Sequence, residues 1–206
     1  MVLYPNPLLL LRAAQHAWSP PIAPEAVQQL AVRLPDDPQA VERYVEQYLV
    51  RYEVPWQTYG VPWYFPNVDE VLARGVGDCQ AQAIVLASVL RAKGIPARLV
   101  GSLDHLWVEY SGKQSNAYEN ASIALAAQSA DGSYALRWPE WNLRESWAIE
   151  RAYFWDAMPW PRRALLLAGW AVLLLAAPVS RRIARRSPGQ QPGSRRAVRV
   201  KVAVHE

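Results

Sequence analysis

One cysteine, Cys79, in 206 residues excludes an internal disulfide framework and any thiolate zinc site. It leaves the redox compartment open, because a lone thiol suits either side of a membrane. Histidine is almost as scarce. The three, at 16, 105 and 205, are too few for a histidine-rich metal centre. Asp69, Glu70 and Asp78 lack the regular spacing of a calcium loop, so no metal is expected. Charged residues make up only 19% of the chain and hydrophobic ones 51%, which excludes wholesale disorder. The length allows one domain with a sizeable core and an appendage. Phenylalanine is nearly missing, with two residues against ten tryptophans and ten tyrosines. Such aromatics have polar tips and suit partly polar burial or a membrane interface.

The net charge of +4 conceals a split between body and tail. Residues 161–206 carry nine arginines and one lysine against one glutamate, whereas residues 1–160 hold 12 basic and 17 acidic side chains. The folded body is therefore mildly acidic and lacks the basic stripe that nucleic-acid binding demands. No nucleic-acid partner is expected.

Along the chain, no base precedes the short leucine run 8–11, so residues 1–34 read as a helical segment packed on the body and not as a signal peptide. Helical spacing runs over 24–34 and again over 38–52, the second helix capped by Asp36 or Asp37. Pro55, Pro62 and Pro66 break the aromatic stretch 56–65 into a loop. Asn67 caps a helix over 68–74 that Gly75 ends. Asp78 caps the next helix, 79–93, which is apolar nearly all round and must be buried on most sides. Strands are expected over 97–103, 105–110, 116–125 and 134–138, with Asp131-Gly132 as a hairpin turn, followed by a helix over 141–156. Helices first and an antiparallel sheet after give an α+β fold, with its main domain over 35–158.

Residues 164–179 contain no charge, and arginines bracket them on both sides. As a helix this run spans about 24 Å, against roughly 30 Å of hydrocarbon. Snorkelling arginines and interfacial Trp155 and Trp160 close the gap, so 160–180 reads as a transmembrane helix and the protein as a single-pass membrane protein. The basic tail, 181–206, reads as disordered and able to meet anionic lipid. Its bases place the tail in the cytoplasm by the positive-inside rule, yet no export signal accompanies the main domain, so the side on which that domain lies stays open.

Chemistry concentrates at Cys79, which opens a helix, and His105, which opens a strand 26 residues later. Unpaired N–H groups and the helix dipole at a helix start lower a thiol pKa, and a neighbouring imidazole completes a nucleophile. The Cys79 N–H would face a developing oxyanion. Against this stands the plain alternative of a buried cysteine and a structural histidine.

The surrounding words decide between them. Gly77-Asp78-Cys79-Gln80, Leu90 to Arg98 with its Gly-Ile-Pro-Ala-Arg bend, and His105-Leu106-Trp107-Val108-Glu109 together resemble the transglutaminase-like superfamily. The resemblance covers roughly residues 65–125. It implies a papain-like core in which a buried, cysteine-bearing helix packs on an antiparallel sheet, with Cys79 as nucleophile, His105 as general base and acid, and no cofactor in the chemistry.

The family's third residue, an aspartate, is missing here; the chain reads Tyr118-Glu119-Asn120. Asn120 falls at the expected offset and is the favoured third member, with Glu119 as the alternative, since strand alternation would aim only one at His105. Gln57 and Trp107 are weaker candidates for binding substrate, and Asp104 is expected to face away. The reading is a membrane-anchored thiol enzyme acting on a protein or peptide substrate at amide or peptide carbonyls. Cross-linking, deamidation and hydrolysis all remain open. The alternative is a catalytically inactive module of the same fold that binds a protein or peptide.

Overall fold

The computed structural model describes residues 2–114, 116–129, 133–140 and 142–186, with backbone alone over 176–186. Helix α1 (Pro7–Trp18) starts at Asn6, whose side chain accepts from the Leu8 N–H. A 3₁₀ turn (Pro24–Val27) leads into α2 (Gln28–Arg33). Asp37 caps α3 (Pro38–Tyr44), which loosens into a π turn (Val45–Leu49) and ends in β1 (Arg51–Tyr52). The expected helix over 38–52 is thus shorter by its last three residues. A single turn, α4 (Pro55–Thr58), opens the aromatic loop. Helix α5 (Val68–Arg74) carries a full capping box, Asn67 with Glu70, and stops at Gly75 in the left-handed region with φ 66°. Strand β2 (Val76–Gly77) pairs parallel with β1 and delivers the chain to α6 (Cys79–Ala92).

Four strands, β3 (Ala97–Gly101), β4 (Leu106–Tyr110), β5 (Ala126–Gln128) and β6 (Tyr134–Leu136), form one antiparallel sheet in the order β4-β3-β5-β6. Helix α7 (Leu143–Glu150), capped by Asn142, continues into a π turn (Arg151–Asp156). The 131–132 turn lies outside the described residues. Residues 116–125 are not a strand, contrary to expectation. Asn116 and Asn120 side chains bond nearby backbone N–H and C=O groups and hold turns there instead.

Helix α6 is the hub. Nine of its apolar residues are buried, from Cys79 to Leu90, against β3, β4, α2, α3 and α5. Its one buried hydroxyl, Ser88, donates to the Ile84 carbonyl and accepts from the Ala23 N–H. Ala13, Val27 and Ala31 join the same core, so the first 34 residues pack on it. Gly77 is required by close approach, since a Cβ there would collide with the Ala81 Cβ.

The chain divides into two compact units, Met1–Leu165 and Leu166–Glu206. The final helix, α8 (Trp160–Arg186), is continuous, and Leu165, Leu167, Trp170 and 172–175 are exposed. Among the described residues no helix is long and apolar enough to cross a membrane; the expected span at 160–180 runs on past residue 175, where only backbone is described.

Candidate active site

Local structure puts the thiol where two elements meet. Asp78 caps α6 by accepting from the Gln80 and Ala81 N–H groups, which fixes Cys79 in the first turn. The β3–β4 hairpin brings His105 opposite. Its N–H donates to Ser102 Oγ, 3.1 Å away, while Ser102 N–H donates to its carbonyl at 2.8 Å. Cys79 and His105 both line three cavities, of about 910, 380 and 20 Å³, the smallest of which Trp107 and Glu119 also line. Only 9% of Cys79 is exposed, so reagents reach it through these cavities.

The third position goes to the alternative residue. His105 Nε2 lies 2.9 Å from Glu119 Oε1, a charge-assisted pair once the ring is protonated. Asn120 instead donates to the carbonyls of Asn116 and Ala117 and accepts from Ser122, so it builds the turn. The alternation argument failed because it presupposed a strand. In a turn, neighbouring side chains no longer take opposite faces of a sheet.

Behind Glu119 stands a layer that the sequence did not disclose. Lys113 donates to Glu119 Oε2 at 3.0 Å and to Glu42, and the Tyr110 hydroxyl also donates to Glu42. Burial works to raise the Glu119 carboxyl, but bonds and charge from His105 and Lys113 outweigh it and hold the group down at about 2. Burial likewise lowers Lys113, and its two carboxylate partners more than reverse this. The carboxylate facing the imidazole is therefore ionised at any ordinary pH. Trp107 is buried and stacks on the His105 ring, with centroids 6.0 Å apart and planes 14° apart, while its Nε1 donates to Glu109. It packs the imidazole and does not face either of the two larger cavities.

The thiol departs from expectation. Burial, reinforced by the Asp78 charge, pushes Cys79 up to about 12, and backbone hydrogen bonding from Leu106, Gln80 and Cys79 itself does not compensate. The helix start is present, but its effect is overridden by desolvation. Asp78 is itself pushed up to about 6 by burial, against the opposing hydrogen bonds from Tyr153 and the Ala81 and Gln80 amides. The Tyr153 hydroxyl donates to Asp78 Oδ2 from the π turn after α7, and burial drives Tyr153 far up as well.

Of the aromatic loop, Gln57 is exposed on α4 and lines none of the thiol's cavities, so its expected substrate contact is not made. Pro62, Trp63 and Phe65 of the same loop do line the largest one. Trp56 is buried and donates to the Phe154 carbonyl at 2.8 Å, which ties the loop to the end of α7. Asp104 accepts from Ser102 Oγ as a turn carboxylate, yet it lines both of the larger cavities and does not face away. Lys113 and Tyr153 carried no spacing signal, since each reaches its partner across 6 and 75 residues of chain through the tertiary fold.

The family model of the transglutaminase-like superfamily matches residues 26–147, more than half the chain. No curated protein matches it.

Proposed function

Given that the chain belongs to the transglutaminase-like superfamily, we propose that it is a thiol enzyme acting on amide or peptide carbonyls through a Cys79 thioester. The observation that carries this is the hydrogen bond from the His105 ring to an ionised Glu119, beside a thiol in the same cavities. Because Nε2 is engaged by Glu119, Nδ1 is the ring nitrogen left to exchange protons. The resting thiol is neutral, so its proton passes to Nδ1 as Sγ attacks the carbonyl carbon. Glu119 stabilises the resulting imidazolium. The C–N bond then breaks, the imidazolium protonates the departing amine, and an acyl thioester remains. Water or a primary amine adds to the thioester and the sulfur leaves. The proton lost by the incoming nucleophile returns through His105 to Cys79.

A mixture of capped glutamine peptides and a primary amine, followed by mass spectrometry, tests the reading. Amine incorporation, ammonia loss with water gain, or chain cleavage that disappears in Cys79→Ser is the expected result. If wild type and Cys79→Ser cannot be told apart on these products, the enzyme reading is wrong. One observation favours the second reading, a peptide-binding module without turnover: the thiol is held neutral by burial. Binding without product in the same assay would select it.

Membrane attachment through α8 belongs to the same proposal. Its support is the exposed apolar side chains over 165–175 beside Arg162 and Arg163, with further arginines at 181, 182, 185 and 186. Carbonate washing of membranes from expressing cells separates the outcomes. Retention of the full chain but not of a chain ending at Leu165 supports attachment, and release of both refutes it.

A further inference from the structure

Resting on the enzyme reading above, we propose that the substrate is a neutral or cationic peptide segment with aromatic or branched aliphatic side chains flanking the reacting amide. The largest cavity at Cys79, at about 910 Å³, lies toward the upper end of the range for small-molecule sites and holds more than one side chain. Its walls are mainly apolar, with Leu3, Trp18, Trp63, Leu136, Ile149 and Phe154 among them. The carboxylates on them are those of Asp104 and Glu150, and no lysine or arginine lines the cavity among the described residues. An anionic donor, whether a phosphate, a nucleotide-bearing thioester or a free carboxylate, would enter against those two carboxylates, with no lysine or arginine among the described lining residues to receive it.

Hydrogen-bonding capacity distinguishes a peptide from a plain acyl chain. Gln80 lines the cavity next to the nucleophile, and its Oε1 is buried with no hydrogen-bond partner among the described residues. Such an acceptor is unfavourable until a donor reaches it. In the proposed complex a backbone N–H of the substrate is that donor. A hydrocarbon chain has no such donor; a peptide has one at every residue.

The test uses the full chain and two readouts. Capped pentapeptides with phenylalanine and leucine, with aspartate, or with lysine on either side of a central glutamine are titrated onto Cys79→Ala. Tryptophan fluorescence reports binding, since Trp18 and Trp63 stand in the wall. The same peptides, with a vinyl sulfone in place of the reacting carboxamide, are timed for alkylation of wild-type Cys79 by intact mass.

The apolar peptide is expected to bind and label roughly ten- to a hundredfold better than the aspartate peptide, the gain that burying one large apolar side chain supplies. Glu150→Arg, at an exposed position, is expected to raise the aspartate peptide severalfold. Equal performance of all three peptides, or preference for aspartate, overturns the inference. Labelling of Cys79 without preference does so while leaving the thiol-enzyme reading intact. Binding with the expected preference but no labelling by any probe has the opposite meaning: the enzyme reading falls and the peptide specificity stands.

Discussion

Glu119 and Asn120 are adjacent in sequence but do different work, and substitution separates them. On the thiol-enzyme reading, Glu119→Gln keeps a hydrogen-bond acceptor but removes the charge proposed to stabilise the imidazolium, and turnover is expected to fall by roughly 10²-fold. Asn120→Ala changes only a turn, and its effect on turnover stays within about twofold. Comparison of kcat/KM for the two variants checks this order. Lys113 acts one step further back, as a positioning residue that touches Glu119 and not the reacting atoms. In Lys113→Met the Glu119 carboxyl rises from about 2 toward the ordinary range. The acid limb of the pH–rate profile moves up with it, and Lys113→Arg restores that limb. A merely structural lysine would change stability without moving it.

Stability responds to the same group. The Glu119 pKa is depressed on folding, so its contribution is complete above about 4.5 and is lost as pH falls toward 2. Asp78 has the opposite sign. Its folded pKa is raised from 3.8 to about 6, so the folded state holds its proton more tightly, and stability declines as pH rises across that interval. Thermal unfolding of wild type from pH 2 to 7 should therefore rise and then sag. In Glu119→Gln the lower rise shrinks, and in Asp78→Asn the sag between pH 4 and 6 shrinks.

Elements, more than single residues, decided what could be read from the chain. Helices α5 and α6 were legible at both ends, because Asn67, Asp78, Gly75 and Gly94 are local signals whose physics needs no tertiary context. The β3–β4 hairpin was legible too, since its apolar runs flank the histidine. The segment 116–125 was not. Its strand-like composition lost to asparagine side chains that bond nearby backbone, and with the strand went the alternation on which the choice between Asn120 and Glu119 was argued. The thiol pKa was misjudged for a related reason: a cap and a helix start are visible in sequence, but the burial around them is not. At this scale Asp78→Asn is informative. It keeps one acceptor for the cap, removes the charge beside Cys79, and should lower the apparent pKa of alkylation by iodoacetamide. A helix destabilisation of up to about 1 kcal/mol accompanies it.

Across the whole molecule, every buried core residue among those described lies in the unit Met1–Leu165, and every site residue does as well. A chain ending at Leu165 is therefore expected to unfold cooperatively, with Tm within a few degrees of the full chain and an unchanged rate of Cys79 alkylation. Loss of cooperative unfolding in calorimetry would contradict that division. The α+β class and the family were readable from spaced words between residues 65 and 125, whereas the family model extends the match to 26–147. The added stretches are 26–64, with α2, α3 and most of the aromatic loop, and 126–147, with β5, β6 and the start of α7; they belong to the fold through packing and sheet pairing, which spaced motifs do not reveal.

The tie between Tyr153 and Asp78 has a consequence for how this protein can evolve. One carboxylate serves both as the cap that starts the central helix and as the charge that restrains the thiol, and its second oxygen is held by a tyrosine 75 residues away. Loss of the whole side chain removes the charge but leaves the Gln80 and Ala81 amides uncapped, whereas an amide in its place keeps the cap and alters only the bond to Tyr153. Substitutions at 78 and 153 are therefore expected to be tolerated better as a pair than singly, which a double-mutant cycle on thermal unfolding would read.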